Sequence, residues 1–314
     1  MLSVDHTPVL LDEVIKVLEP EDGKTYVDCT FGAGGYSKRM LQESKCKVIA
    51  IDRDPDVKIY ADLLKKEYGD RFSFYNVSFS QLDEVLQQEG IEGGVDAIVL
   101  DLGVSSMQLD RAERGFAFSK NANLDMRMSQ SGKSAHDFVN LESESTIAEV
   151  LFKFADEKFS RKIARKIINV RKDKPIETTF ELAELVRSVL PGKFKGHRTD
   201  PATKTFQAIR IWVNDELQET ELVLGLARNL LKVGGKLVVV TFHSTEDRIV
   251  KHFLTTHSKQ KPVISRYLPE PVDKELPWFK LINSKVLIPS DEETQDNIRS
   301  RSAKLRAAVK VREE

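Results

Sequence analysis

Along the first hundred residues, short apolar runs alternate with stretches whose apolar positions fall on one helix face. The runs at 25–31, 47–52, 71–76 and 95–101 predict strands. The periodic stretches at 9–18, 35–44, 55–67 and 79–90 predict helices. Strand–helix alternation of this kind builds a parallel sheet with right-handed crossovers. After Val95–Asp101 the alternation stops, and about a hundred residues follow without a strand pattern. Ile147, Val150, Leu151 and Phe154, then Ile163 and Ile167, are spaced for helices. Thr178 with Glu181 reads as a capping box opening a helix at 179–190, which Pro191-Gly192 would end. Residues 203–231 are again helical in pattern. Gly234-Gly235 then leads into a buried strand at 236–242. The expected organisation is a core of 1–105 and 209–314, with a helical domain, 106–208, inserted between the fourth and fifth strands. A helix at 245–256, a loop holding Pro262, Pro269, Pro271 and Pro277, and two antiparallel edge strands near 280–287 and 304–312 complete the chain.

The first two strands carry the chemistry that stands out. Tyr26-Val27-Asp28-Cys29-Thr30-Phe31-Gly32-Ala33-Gly34-Gly35-Tyr36-Ser37 is a strand running into a glycine turn, and Val48-Ile49-Ala50-Ile51-Asp52 is a strand ending in an acid. Glycines let the backbone approach a ligand closely, and the acid accepts hydrogen bonds from ribose hydroxyls. Asp28 and Asp52 lie 24 residues apart, close to the spacing of an adenosine-binding unit. A dinucleotide fingerprint needs glycine or alanine where Ser37 stands. Asp28 before the turn suits a cationic ligand such as S-adenosylmethionine better than a pyrophosphate.

Composition adds bounds. The chain has 314 residues, 40% hydrophobic and 31% charged, with a net charge of −1. That describes a globular protein with a full core. No stretch approaches the roughly 18 apolar residues of a membrane helix, and no leader pattern opens the sequence, so no membrane partner is expected. Cys29 and Cys46 lack metal-ligand spacing, which predicts no metal site and a reducing cytoplasm. Charge is uneven. Residues 1–105 hold 11 Lys/Arg against 20 Asp/Glu, whereas 106–210 hold 20 against 14. A basic middle third points to a polyanionic partner.

Ligands of open α/β sheets bind at the carboxyl ends of the strands. Those ends hold Gly32–Tyr36, Asp52, Ser78-Phe79-Ser80, Asp101 to Gln108, and Thr241-Phe242-His243-Ser244. Phe79 is placed to cover an adenine or to serve as a core residue. Asp101 is placed to touch methyl donor and acceptor, with a turn-capping acid as the plain alternative. Gln108 has a surface role as its alternative. His243 reads as a substrate contact or as a partner of Glu246 or Asp247. In the insert, Arg161, Lys162, Arg165 and Lys166 form one basic helix stripe. Lys193, Lys195, Arg198 and Lys204 make a second cluster, and Arg299, Arg301, Lys304 and Arg306 a third. Such stripes suit nucleic acid. Pyrimidine C5 methylation needs a thiolate nucleophile, and neither cysteine follows the fourth or fifth strand. An exocyclic amine needs only an acceptor near its N–H, for which Asp101 or a carbonyl near Gly103 is the candidate.

The motifs Asp28-Cys-Thr-Phe-Gly-Ala-Gly-Gly, Asp101-Leu-Gly-Val-Ser-Ser-Met-Gln-Leu-Asp110, Pro201-Ala-Thr-Lys-Thr-Phe-Gln-Ala-Ile-Arg210 and Phe242-His-Ser-Thr-Glu-Asp-Arg, with His6-Thr-Pro-Val-Leu, Arg114-Gly-Phe-Ala-Phe, Leu124-Asp-Met-Arg-Met, Asn214-Asp-Glu-Leu and Arg299-Ser-Arg-Ser-Ala-Lys-Leu-Arg306, span residues 5–312. Together they resemble the bacterial small-subunit ribosomal RNA cytosine-N4 methyltransferases, the RsmH (MraW) family. The resemblance implies an α/β, class I Rossmann-like methyltransferase core with a mostly parallel seven-stranded sheet and an inserted all-helical domain for RNA recognition. It implies S-adenosyl-L-methionine as cofactor, and the N4 amine of a cytidine in the decoding region of 16S rRNA, within the small ribosomal subunit, as target. A homodimer stays open as the assembly. Carried onto this sequence, the cofactor residues are Gly34, Gly35, Tyr36, Asp52, Phe79, Asp101 and Gln108, with Asp101 also catalytic. Tyr36 and Asp200 stand where many members of that family have histidine.

Overall fold

The computed structural model describes residues 8–189, 200–258, 276–283 and 285–313. Pro191-Gly192, three residues of the second basic cluster (Lys193, Lys195 and Arg198), His6-Thr7, and the loop prolines 262, 269 and 271 lie outside the described residues. The chain forms two compact units, 1–103 with 218–314 and Val104–Leu217.

The first unit is built on a seven-stranded sheet of order β3-β2-β1-β4-β5-β7-β6. Its strands are β1 (Thr25–Asp28), β2 (Lys47–Ile51), β3 (Phe72–Tyr75), β4 (Val95–Asp101), β5 (Leu231–Thr241), β6 (Phe279–Leu281) and β7 (Lys304–Lys310). The first five are parallel, and β7 lies antiparallel between β5 and β6. The apolar runs are continuous because a parallel sheet is covered on both faces: Val48, Ile49, Ala50 and Ile51 of β2 are all inaccessible. Helices α1 (Leu11–Leu18), α2 (Gly35–Glu43), α3 (Lys58–Tyr68) and α4 (Leu82–Gln88) occur where the periodicity predicts them. Strand order reverses beside β1, whose neighbours are β2 and β4, and this places the binding crevice at the carboxyl ends of β1 and β4. The expected edge strand at 280–287 is interrupted. After β6, among the described residues, the Ile282 N–H donates to the Ala307 carbonyl at 3.0 Å and an isolated bridge joins Leu287 to Leu305, and α13 (Asp291–Asp296) precedes β7.

The second unit is helical: α5 (Ser106–Asp110), α6 (Ala135–Leu141), α7 (Glu144–Ala155), α8 (Ser160–Arg171), α9 (Thr179–Val189) and α10 (Ala202–Asn214). Phe138, Ile147, Leu151, Ile163, Ile167, Leu182, Val186 and Ile209 form its core. The Thr178–Glu181 capping box is formed in both directions. The boundary expected at 208/209 falls instead at 217/218. The reason is burial: Ile209 of α10, just past the expected boundary, belongs to the helical core, and Trp212 and Val213 pack against that core. The remaining helices are α11 (Glu216–Leu230) and α12 (Ser244–Ser258). No helix among the described residues is long and apolar enough to cross a membrane.

Candidate active site

The glycine turn is tied to the ends of β2 and β4 by short bonds. The Gly32 N–H donates to Asp52 Oδ2 at 2.8 Å, and Asp54 N–H donates to Asp52 Oδ1 at 2.9 Å. Each carboxylate oxygen thus holds one backbone donor and keeps a lone pair for a ligand hydroxyl. Burial pushes Asp52 up to about 6, against the pull of those two N–H groups. On the other side, the N–H of Asp101 donates to Thr30 Oγ1 at 2.6 Å, fastening the end of β4 to the turn after β1.

Gly34 has φ 81 and caps α2, and a Cβ there would meet the Phe31 ring at 2.7 Å. Glycine is required at 34 by conformation as well as by space. At Gly35 a Cβ would lie 1.9 Å from Pro8 Cγ. Tyr36 is buried, and its hydroxyl donates to the carbonyl of Val9. The Tyr36 side chain is therefore engaged with the backbone of the N-terminal segment.

Asp28 does not stand open to a ligand. It is fully buried, with Ser37 Oγ donating to Oδ2 at 2.7 Å and Thr30 N–H to Oδ1 at 3.2 Å. Burial raises it to about 6, while those bonds pull downward. Ser37, at the position that argues against a dinucleotide, is the partner of this acid.

Asp101 at the end of β4 is half-buried, and its Oδ1 is buried without a hydrogen-bond partner among the described residues. Burial first, then the nearby carboxylates of Asp28 and Glu246, push it well above the usual carboxylate range. A buried acceptor without a partner among the described residues, and basic for a carboxyl group, is suited to receive a proton. His243, just beyond β5, faces Glu246: Nε2 lies 2.7 Å from Oε1, and Glu246 N–H approaches Nδ1 at 3.3 Å. The Glu246 alternative is the one realised. Asp247 instead holds Arg306 at 2.7 Å and Lys304 at 3.3 Å. Two members of the third basic cluster are therefore ion-paired within the core.

Phe79 follows β3 at the start of a short 3-10 turn, half-buried, with its ring packed on the core formed by β1, β2 and β4. Gln108 belongs to the helical unit. Its Oε1 accepts the Ser105 N–H at 3.0 Å while Ser105 Oγ accepts the Gln108 N–H at 3.2 Å. The carbonyl end of Gln108 therefore closes a capping box on α5. Asp200 pairs with Arg187 at 2.7 Å and accepts the Ala202 N–H at 2.8 Å. Partial burial works against its charge, yet these partners bring it below its ordinary value.

Sequence reasoning missed the role of Thr30 and the Pro8–Val9 contacts. A hydroxyl within the turn was the only signal available for the first.

With this geometry in place, the family model described as the MraW methylase family matches residues 3–311. The chain belongs to the MraW methylase family. Ribosomal RNA small subunit methyltransferase H of Rickettsia massiliae (strain Mtu5) is 50% identical over 309 residues, covering 98% of this chain and 99% of that protein. The protein of the same name from Rickettsia canadensis (strain McKiel) is 48% identical over 313 residues, covering 99% and 100%. Among solved structures, a putative rRNA-methylase from Clostridium thermocellum aligns with TM-score 0.44 at 12% identity, over 99% of this chain and 100% of that one. A putative methyltransferase from Streptococcus mutans in complex with SAH aligns with TM-score 0.44 at 10% identity, over 98% and 99%. As an MraW methylase, the chain uses S-adenosylmethionine as its cofactor. The site fits that group: Asp52 is held with two free lone pairs, and Asp101 Oδ1 is an unmatched buried acceptor.

Proposed function

We propose that this MraW methylase methylates the N4 amine of a cytidine in the decoding region of small-subunit ribosomal RNA. The relatives that match it over nearly their whole length are ribosomal RNA small subunit methyltransferases. The observation that supports the finer reading is the buried Oδ1 of Asp101, which has no hydrogen-bond partner among the described residues, on a carboxyl that burial holds well above the usual carboxylate range.

The amine lone pair of cytosine is delocalised into its ring. Asp101 would accept one amine N–H, turn the lone pair out of conjugation and take the proton as the new C–N bond forms and the methyl–sulfur bond breaks, its electron pair staying on sulfur. When bound, S-adenosylmethionine supplies an electrophilic methyl group on a sulfonium. Asp52 would accept its ribose hydroxyls, the backbone of Gly32 to Gly35 would approach it, Phe79 would cover its adenine, and Tyr36 shapes the turn through its bond to Val9. Gln108 contributes through the rigidity of α5. The thiols support an amine target over ring carbon C5. Cys29 and Cys46 are both buried and both pushed above their ordinary value by that burial, so neither is a ready nucleophile.

The helical unit recognises the RNA. On α8, Ile163, Ala164 and Ile167 face its core while Arg161, Lys162, Arg165 and Lys166 are all exposed. Only Arg165 has an ion pair among the described residues, with Glu144 at 3.5 Å. An unneutralised stripe suits the phosphate backbone.

The test is incubation with labelled S-adenosylmethionine and small subunits lacking the mark, followed by nucleoside analysis. Labelled N4-methylcytidine is expected. Label at C5, label on plasmid DNA in preference to subunits, or no label would each overturn the reading.

A further inference from the structure

Residues 8–10 cross the start of α2 and are held there by three separate contacts. The Pro8 ring occupies the space where any side chain at Gly35 would begin. The Tyr36 hydroxyl donates to the Val9 carbonyl. The Leu10 N–H donates to Glu293 Oε1 at 2.8 Å, from α13 near the other end of the chain. Leu10 itself is left-handed, at φ 54 and ψ 33. A residue with a Cβ holds that conformation only where its surroundings impose it. The segment is thus clamped rather than merely packed.

The clamp bears on the cofactor turn directly. Gly35 and Tyr36 are the first two residues of α2, and Gly34 is its cap. Burial and then the charges of Asp101, Asp28, Glu293 and Glu13 push the Tyr36 hydroxyl well above its ordinary range. That side chain therefore lies among the acids of the site and stays a neutral donor. Its bond to the Val9 carbonyl fixes the segment relative to the turn. Glu293 fixes the other end.

We propose that Tyr36 and Glu293 are positioning residues for the cofactor, acting through the strap of residues 8–10 to hold the glycine turn in its binding shape. This rests on the reading that the turn holds S-adenosylmethionine. Loss of either bond lets the strap leave the turn, and cofactor affinity falls while the chemistry at Asp101 is untouched.

The experiment measures binding of S-adenosylhomocysteine to the full chain by calorimetry, with steady-state kinetics on small subunits. Tyr36→Phe and Glu293→Ala should each weaken binding roughly five- to tenfold, the cost of one net hydrogen bond. Glu293→Gln keeps an acceptor oxygen and should bind like the parent. For Glu293→Ala, the KM for the methyl donor should rise while kcat stays within about twofold. Unchanged binding in both Tyr36→Phe and Glu293→Ala would overturn the inference. So would a Glu293→Gln variant as weak as Glu293→Ala, because that pattern means general loss of folding. Asp52→Ala is the separate arm. If it binds cofactor normally, the reading of the turn is wrong. If it loses binding while the strap variants keep it, only the strap inference fails.

Discussion

Ser37 Oγ donates to Asp28 Oδ2 at 2.7 Å, and both residues are fully buried. The pair pins the first turn of α2 to the end of β1, directly beneath the glycine turn. Removing the hydroxyl leaves a buried carboxyl with less support, at a cost of about 1–3 kcal/mol.

Ser37→Ala should therefore lower the melting temperature, and the deficit should depend on pH. The folded value of Asp28, about 6, lies above its ordinary 3.8. Its carboxyl thus favours the folded state in acid, and that contribution is lost as pH rises through about 6. Melting curves should show a smaller deficit at pH 5 than at pH 8. An equal deficit at both would mean that the hydroxyl does not support the carboxylate.

Cofactor affinity should fall in mild acid. Asp52 sits at about 6 before a ligand arrives, and ribose hydroxyls donate to its ionised form. Below pH 6, protons compete with the cofactor, and the dissociation constant should climb toward tenfold per pH unit. Calorimetry with S-adenosylhomocysteine across pH 5–8 checks this. Asp52→Asn should bind more weakly and show a flat profile.

Asp101→Asn should lower the single-turnover methylation rate about 10²- to 10⁴-fold, the usual worth of a positioned proton acceptor. The parent rate should rise with pH as this carboxyl ionises and then level off, at a pH well above the ordinary carboxylate range. A variant that keeps the parent rate would remove Asp101 from the chemistry and direct attention to a backbone carbonyl near Gly103.

Replacing Arg161, Lys162, Arg165 and Lys166 together by glutamine should weaken RNA binding and flatten its salt dependence. Each lost phosphate contact should remove roughly 0.7–0.9 from the log–log slope. Binding of S-adenosylhomocysteine should not change. Filter binding at several salt concentrations reads the slope, and an unchanged slope would mean that α8 is only a solvated face.

Much of this was legible in the residues alone. The alternation of apolar runs with helical periodicity is a local property, so β1 to β5, α1 to α4 and the Thr178–Glu181 cap could be read directly. The glycine turn, Asp52 and Asp101 were legible because strand ends in an open α/β sheet converge on one crevice. The boundary at 217/218 was not, because the apolar positions of α10 fit a helix on either unit, and only packing selects the helical core.

Sequence by itself determined the elements, the turn and the acids that could serve it. Tertiary structure decided which of those groups are already taken. Asp28 is matched by Ser37 and Asp247 by Lys304 and Arg306, and His243 is placed 2.7 Å from Glu246, while among the described residues Asp101 Oδ1 has no hydrogen-bond partner. It also brought Glu293 to Leu10 across 283 positions. Periodicity and spacing report on neighbours along the chain. Whether a polar group in a buried site is satisfied depends on residues that strand order and helix packing bring to it.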